Sequence, residues 1–208
     1  MDALDAIKSR VSVRKFESKP IPRPVLFRIL DSARWAPSAG NLQSWEFVIV
    51  EDASIRKKVA DACLKQQWIA EAPTVVVVCA DTERSAFTYG ERGKYFYSIV
   101  DTATAIENLL IAATSEGIGS CAVAGFEDNT LRLAIGLPEA IAPIAVIPLG
   151  YAAEKPSHPQ RADLSDILHF DRYGNFNPKN IPSSIRAQQA PSPSGKQKKP
   201  MGLLGVFR

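Results

Sequence analysis

The sequence predicts a central sheet covered by helices, in an α+β or α/β arrangement. Segments with the apolar period of a helix alternate along the chain with short runs of β-branched residues. One of these runs, "PTVVVVCAD" at residues 73–81, is apolar at nearly every position, which is typical of a strand buried on both faces. With 208 residues, of which 46% are hydrophobic, the chain is long enough for one domain with a substantial core.

The predicted elements follow one another in the order helix, helix, strand, helix, strand, helix, strand, helix, strand. In residues 22–37, for example, Val25, Leu26 and Ile29 have helical spacing, and the pattern ends before Pro37. After an N-terminal helix, we expect helices at 22–37, 53–72, 95–117 and 128–138, and strands at 45–52, 73–81, 118–126 (strand or turn) and 141–152.

A change in composition near residue 178 predicts a boundary between a folded domain, 1–177, and a basic extension, 178–208. The extension contains the Pro-, Ser- and Lys-rich stretch "SSIRAQQAPSPSGKQKKP", which is typical of a flexible linker. Six of the 25 Lys and Arg residues and no acidic residue follow Pro178, so residues 1–177 carry a net charge of about −3. The basic character therefore belongs to the extension, whose apolar end "MGLLGVFR" could contact a partner subunit or a membrane surface, or have no role.

Several classes of function have little support in the sequence. We expect no secretory signal, because the first ten residues lack a long apolar run, and no apolar run in the sequence is long enough to span a bilayer. Three widely spaced cysteines, Cys63, Cys79 and Cys121, read as reduced and mostly buried, which predicts a cytoplasmic protein without disulfides. With no CxxC pair and only two histidines, we expect no metal site. The stretch "GIGSCAVAG" follows a helix and has Ala122 where a dinucleotide-binding loop needs glycine.

The stretch "SRVSVRKF" at residues 9–16 concentrates positive charge near the N-terminus. In an extended segment Arg10, Ser12 and Arg14 would share one face, and Val11 and Val13 the other. In a helix Arg10 and Arg14 would still be neighbours, with repelling charges. By itself the pattern fits a charged edge strand or a cradle for a phosphate group, which guanidinium forks bind bidentately.

A second unusual stretch, "APSAGNLQSWEF" at residues 36–47, places small and amide residues between a helix and a strand. The side chains of Asn41 and Gln43 offer donors and acceptors suited to the edge of a planar heterocycle. The same residues also suit an ordinary turn between the two elements.

Taken in order, five motifs resemble the FMN-dependent nitroreductase family over about residues 7–170. They are R-x-S-x-R-x-F from Arg10, P-S-x-x-N-x-Q-x-W-x-F from Pro37, D-x-x-x-A-x-x-N-L-L-x-A-A from Asp101, "GIGS" from Gly117, and P-x-G-Y from Pro148. The apolar strand ending in "CAD" lies between the second and third motifs. The resemblance implies an α+β fold with a mixed or antiparallel central sheet, an intertwined homodimer, and FMN bound at the subunit interface.

The resemblance also assigns roles to individual residues. Arg10 corresponds to the phosphate-binding arginine of the family, with Ser12 beside it, and Arg14 to a cation near the pyrimidine edge of the flavin. The backbone N–H of Ala124 or Gly125 would donate to flavin N5, the atom that accepts hydride, so these two are the catalytic candidates. The implied cofactor-binding set is Arg10, Val11, Ser12, Arg14, Pro37, Ser38, Ala39, Asn41, Gln43, Ala122, Val123, Ala124, Gly125 and Arg161. Residues 37–43 would reach the flavin of the partner subunit, and Arg161 would close on the phosphate.

The implied reaction is a ping-pong transfer of hydride from NAD(P)H, through flavin N5, to a nitroaromatic, quinone or enone. Alternatives are reductive dehalogenation or oxygen-dependent flavin breakdown on the same fold, or a non-catalytic flavin-binding protein tethered to nucleic acid or membrane by its basic extension. The folded domain itself gives no reason to expect a nucleic-acid or membrane partner.

The chain departs from the pattern of larger members of the family at three positions. Ala124 stands where some of them have an acidic residue, Pro159 stands where they have a basic residue, and the third position is Trp68. Trp68 stands where they place a lysine near the flavin, and the neighbouring Gln66 or Gln67 could face the flavin or could be ordinary exposed residues. The aromatic segment "ERSAFTYGERGKYFY" at residues 83–97 lies where the family varies its substrate lid, so its rings could line the substrate pocket or pack on the sheet.

Overall fold

The structure, a computed structural model, describes residues 1–175 of a chain that divides into two compact units, Met1–His158 and Pro159–Arg208. The helices of the first unit are α1 Ala3–Ser9, α2 Arg23–Ala33, α3 Ala53–Ala62, α4 Trp68–Glu71, α5 Thr82–Arg92, α6 Ser98–Ser115 and α7 Asp128–Ile135. Its strands are β1 Trp45–Val50, β2 Thr74–Asp81, β3 Gly119–Ser120 and β4 Ile141–Gly150. A 3₁₀ turn, Ala39–Asn41, precedes β1, and a π-helical turn, Gly93–Tyr97, joins α5 to α6.

The four strands form one sheet in the order β1-β2-β4-β3, with every neighbouring pair antiparallel. An isolated parallel bridge between Ser12 and Ser120 adds the N-terminal segment beside β3. The α+β alternative of the sequence prediction is therefore confirmed, with a sheet that is antiparallel apart from this bridge.

Helices cover both faces of the sheet because β2 is apolar on both of its faces. Val76 and Val78 share a core cluster with the apolar side chains of α2 and α6. Val75 and Val77 belong to a second cluster, formed with α3, α4 and α7. Successive strand residues point to opposite faces, so the two clusters lie on opposite sides of the sheet. The prediction that residues 73–81 form a strand buried on both faces is confirmed.

The single helix predicted over residues 53–72 is wrong. The chain forms α3 and α4, and between them Leu64 and Lys65 adopt left-handed backbone conformations with φ of 57° and 60°. Left-handed φ cannot continue a right-handed helix. The interruption lets both Cys63 and Ile69 enter the core with no exposed surface.

The segment before the long helix also differs from the prediction. Helix α6 begins at Ser98, and the three aromatic residues before it belong to the π-helical turn. Helix α5, which precedes it, is absent from the sequence prediction because the helix is polar on average and buries only Ser85.

The described part of the second unit is short. It contains helix α8, Leu164–Ile167, whose first turn is capped by the Asp163 carboxylate accepting from the Ser165 N–H. The predicted extension, 178–208, lies outside the described residues, and the boundary at residue 177 stays a prediction. Within residues 1–175 no helix combines the length and apolarity needed to cross a membrane.

Candidate functional site

The N-terminal stretch "SRVSVRKF" leaves α1 and continues as an extended segment. The Arg10 N–H donates to the Ala6 carbonyl and ends the helix. Beyond it, the Val13 N–H donates to the Ser120 carbonyl at 3.0 Å. Val13 is buried, and a Cβ built on Gly119 would lie 3.0 Å from both of its γ carbons. The extended alternative is therefore confirmed, with Val13 holding the segment on the core and Arg14 exposed.

The two arginines of this segment have different surroundings. Arg10 is half-buried, and its Nε lies 3.6 Å from the carboxylate of Glu107 on α6. The Arg14 guanidinium lies 6.0 Å from the ring centroid of Trp68, within reach of a cation–π interaction. Burial raises the pKa of the nearby Cys121 thiol, while Arg14, Ser12 and Arg10 act in the opposite direction. Both cations are therefore near enough to Cys121, the first residue after β3, to act on its pKa.

That segment, Ala122–Gly125, exposes backbone donors. Val123 is buried and exchanges two hydrogen bonds with Val146 of β4, at 2.9 and 2.8 Å. Its neighbours Ala122, Ala124 and Gly125 are exposed. Within residues 1–175, neither the Ala124 N–H nor the Gly125 N–H has an acceptor. A fixed backbone with two free N–H groups and no bulky side chain is suited to approach by a planar ligand.

Two further polar groups border this region. The Ser120 hydroxyl oxygen is buried and, among the described residues, has no hydrogen-bond partner. On the other side of the N-terminal segment, the Glu154 carboxylate accepts from the N–H groups of Arg14 and Lys15, at 2.7 and 3.2 Å. Glu154 therefore holds the backbone that carries Arg14.

The loop at residues 37–43 is built on left-handed backbone conformations. Gly40, Asn41 and Gln43 have φ of 56°, 56° and 50°. The Ser38 hydroxyl accepts from the Gln43 N–H at 3.0 Å and closes the loop. The Gln43 side-chain amide donates to the Asn41 side-chain oxygen at 3.2 Å, so the two amides bond to each other.

Helix α6 fixes the start of this loop through two side chains. The carboxylate of Asp101, which is 5% exposed, accepts from the Ala39 N–H, at 3.1 Å to each oxygen. The Thr104 hydroxyl contacts the Pro37 carbonyl at 3.2 Å. Burial raises the pKa of Asp101, and the bond from Ala39 opposes this shift only in part.

An aromatic ring from α5 covers the tip of the same loop. A Cβ built on Gly40 would lie 2.6 Å from the Tyr89 hydroxyl oxygen, so a side chain at residue 40 would displace this tyrosine. The Tyr89 ring meets the Tyr97 ring edge to face, with centroids 5.2 Å apart. Through Tyr89, the aromatic segment 83–97 therefore packs against the loop predicted to contact the flavin.

The remaining candidates are Arg161, Gln66 and Gln67. Arg161 lies in the second unit, in the exposed coil before α8, and its phosphate role stays a prediction. Gln66 donates to the Cys63 carbonyl at 3.0 Å and Gln67 to the Asp61 carboxylate at 2.7 Å. These bonds favour the interpretation of Gln66 and Gln67 as ordinary helix-end residues.

Comparison with known proteins identifies the family of this chain. The sequence profile described as "Nitroreductase family" matches residues 7–70 and 62–151. A protein of Archaeoglobus fulgidus with the working name NADH dehydrogenase/NAD(P)H nitroreductase is 34% identical over 178 residues, which cover 83% of this chain and 99% of that protein. The chain belongs to the nitroreductase family.

Solved structures of the nitroreductase fold superpose on most of the chain. A Bacteroides thetaiotaomicron protein with the same working name has 32% identity and a TM-score of 0.73, over 82% of this chain and 98% of that one. The NADPH:FMN oxidoreductase of Vibrio harveyi, solved with NAD⁺, has 25% identity and a TM-score of 0.77, over 89% of this chain and 84% of that one.

Several residues that shape this candidate site are not among the sequence candidates. Asp101 belongs to one of the five motifs without a role of its own, although a carboxylate within a largely apolar helix is itself a signal of a buried polar contact. Tyr89 and Glu154 act through contacts between residues far apart in sequence, at Gly40 and Arg14, and no local pattern indicates such pairs.

Proposed function

We propose that this member of the nitroreductase family binds FMN beside the extended segment 10–14 and the exposed segment 122–125. One observation supports the proposal. The Ser12–Ser120 bridge joins the segment that carries Arg10 and Arg14 to the strand that leads into residues 122–125. In the latter segment, the N–H groups of Ala124 and Gly125 have no acceptor within residues 1–175. The residues present fit the cofactor, because the guanidinium of Arg10 and the buried Ser120 hydroxyl, which has no partner among residues 1–175, suit an anion.

Each residue contributes binding or orientation. Arg10 and Ser12 would hold the phosphate, with Arg161 as a further cation. Arg14 would stand at the pyrimidine edge, where positive charge stabilises the electron-rich reduced ring. The N–H of Ala124 or Gly125 would donate to N5, and because this donor belongs to the backbone its bond is independent of pH. Residues 37–43 would contact the flavin of the partner subunit.

The chain is an oxidoreductase in this proposal, with NAD(P)H as donor and a nitroaromatic, quinone or enone as acceptor, in a ping-pong sequence. Bound FMN supplies the chemistry by which hydride passes from the nicotinamide and electrons pass to the acceptor. The protein supplies a fixed binding surface, positive charge and a backbone donor, so no catalytic histidine or carboxylate is required.

We propose further that the protein works as a homodimer in the cytoplasm. The dimer follows from the assignment of the loop 37–43 to the partner's flavin. The reducing compartment is supported by Cys63, Cys79 and Cys121, all of which are buried and unpaired.

Purification and spectroscopy test the central claim. We expect a yellow protein that releases FMN on denaturation and oxidises NADH or NADPH continuously with a nitroaromatic or a quinone. A colourless protein that fails to bind added FMN would contradict the proposal. Loss of the flavin in the presence of oxygen, or turnover that requires a halogenated phenol, would instead support the alternative reactions on this fold.

A further inference from the structure

The segment between β2 and α6 carries several aromatic side chains, of which Tyr89, Tyr97 and Phe96 form a cluster of contacting rings. Phe87, Tyr95 and Phe96 are exposed, with Phe87 at 96% and Tyr95 at 66%. Tyr97 contacts Phe96, with ring centroids 5.7 Å apart, and also meets the Tyr89 ring at Gly40. An aromatic surface of this kind, beside the loop assigned to the flavin, can stack on a planar molecule.

One cation, Arg92, lies within this cluster. Its guanidinium carbon is 4.8 Å from the ring centroid of Phe96 and 5.3 Å from that of Tyr97. Its Nε donates to the Tyr97 hydroxyl at 3.0 Å. Among the contacts of residues 1–175, its two terminal nitrogens have no hydrogen-bond acceptor. These nitrogens form the half of the guanidinium fork that matches a carboxylate.

The other basic residues of the segment are already neutralised. Arg84 pairs with Glu46 at 2.6 Å and with Asp81 at 3.1 Å. Lys94 pairs with Glu83 at 2.5 Å. No carboxylate in the described part of the chain lies within ion-pair distance of Arg92. Arg92 is therefore an exposed positive charge held in place by rings.

We propose that Arg92 is a specificity-determining residue that selects planar aromatic acceptors carrying a negative charge, such as nitrobenzoates. The inference rests on the proposed function and names the substrate class of that same site. The exposed rings supply the stacking surface and the free fork of Arg92 pairs with the carboxylate of the acceptor. Tyr89 connects this surface to Gly40 of the cofactor-contacting loop.

The reaction follows the proposed activity without a further co-reactant. In its first two-electron step, ArNO₂ + NAD(P)H + H⁺ gives ArNO + NAD(P)⁺ + H₂O. The hydride supplies both electrons, and one oxygen of the nitro group leaves as water. The carboxylate of the acceptor takes no part in the step, so Arg92 acts on binding and orientation only.

The test compares 4-nitrobenzoate with the neutral 4-nitrobenzamide in the FMN-loaded enzyme. Variants are Arg92→Gln, Arg92→Lys and, as a control with the same loss of charge, Arg23→Gln, whose arginine pairs with Glu51 on the surface. We expect Arg92→Gln to lower the kcat/KM ratio of benzoate to benzamide roughly five-fold, as suits one partly exposed charge pair. The fall in this ratio should come from a higher KM for the benzoate. It should be smaller at high ionic strength and smaller in Arg92→Lys than in Arg92→Gln.

A binding measurement separates this inference from the proposed function. Calorimetric titration of the oxidised protein with each acceptor should show the same selective loss of nitrobenzoate affinity in Arg92→Gln. A ratio equal in wild type, Arg92→Gln and Arg23→Gln would overturn the role of Arg92 while leaving the reductase activity in place. Absence of turnover in every variant would contradict the proposed function, and the titration would still decide the inference.

Discussion

Arg10 and Arg14 lie four positions apart in one extended segment, yet they differ in burial and in the groups that they contact. Arg10 is half-buried, its Nε is engaged by Glu107, and the rest of its fork remains available for an anion. Arg14 is exposed and lies over the Trp68 ring. A lysine at residue 68 would add a second positive charge beside Arg14. The tryptophan at this position instead offers its ring to the guanidinium of Arg14. The sequence alone could place both cations near the cofactor but could not distinguish these roles.

If Arg10 binds the phosphate of FMN, its removal should weaken FMN binding. Removing a charge-assisted contact costs roughly 1.5–3 kcal/mol, so Arg10→Ala should weaken FMN binding about 10- to 150-fold. Titration of the apoprotein with FMN, followed by flavin fluorescence, measures the change. Lys15→Ala is the matched control, because Lys15 is an exposed neighbour of the same charge. Equal FMN affinity in Arg10→Ala and Lys15→Ala would show that the phosphate lies elsewhere.

At the scale of elements, the strands and long helices were predictable because their apolar periods reflect burial directly. The run at residues 73–81 and the long apolar helix both appear where the pattern indicates. The break at Leu64 and Lys65 was not predictable, since neither residue is a glycine or proline, and the burial of Cys63 and Ile69 that accompanies the break is visible only in the structure. For the candidate site, the sequence motifs identified which segments take part. The contacts between those segments could be seen only in the structure.

The contact between α6 and the loop 37–43 gives a prediction about Asp101. Asp101→Ala leaves the Ala39 N–H without its acceptor, which should cost about 1–3 kcal/mol in the free energy of unfolding and should weaken FMN binding through the loosened loop. Asp101→Asn keeps an acceptor oxygen and should retain FMN affinity. Chemical denaturation and FMN titration measure both effects. Weak FMN binding in Asp101→Asn would indicate that the charge itself, rather than the hydrogen bond, is required.

The same carboxylate predicts a pH dependence of stability. Burial raises the pKa of Asp101 above its unfolded value, so the folded state binds more protons between the two pKa values. The stability contributed by Asp101 is therefore greatest below the unfolded pKa and falls as pH rises through the folded pKa. We expect the melting temperature of Asp101→Asn, relative to wild type, to increase between about pH 4 and pH 7. A constant difference over this range would contradict the assigned shift.

At the scale of the whole molecule, α6 supports both halves of the proposed cofactor site. Glu107 contacts Arg10, and Asp101 and Thr104 hold the loop that begins at Pro37. Residues 101 and 107 are separated by about 9 Å along the helix axis. If the loop serves the partner's flavin, each α6 supports two cofactor sites, its own through Arg10 and the partner's through the loop.

This arrangement predicts complementation between defective variants. Arg10→Ala and Asp101→Ala each weaken every site in their own homodimers. In a heterodimer of the two, one site combines the intact Arg10 of one subunit with the intact loop of the other. Random reassociation of equal amounts should therefore restore wild-type FMN affinity to about a quarter of the sites. Titration of the refolded mixture with FMN measures that fraction, with each variant refolded alone as the control. If no high-affinity sites appear, Arg10 and the loop act on the same flavin within one chain, and the assignment of residues 37–43 to the partner's cofactor is wrong.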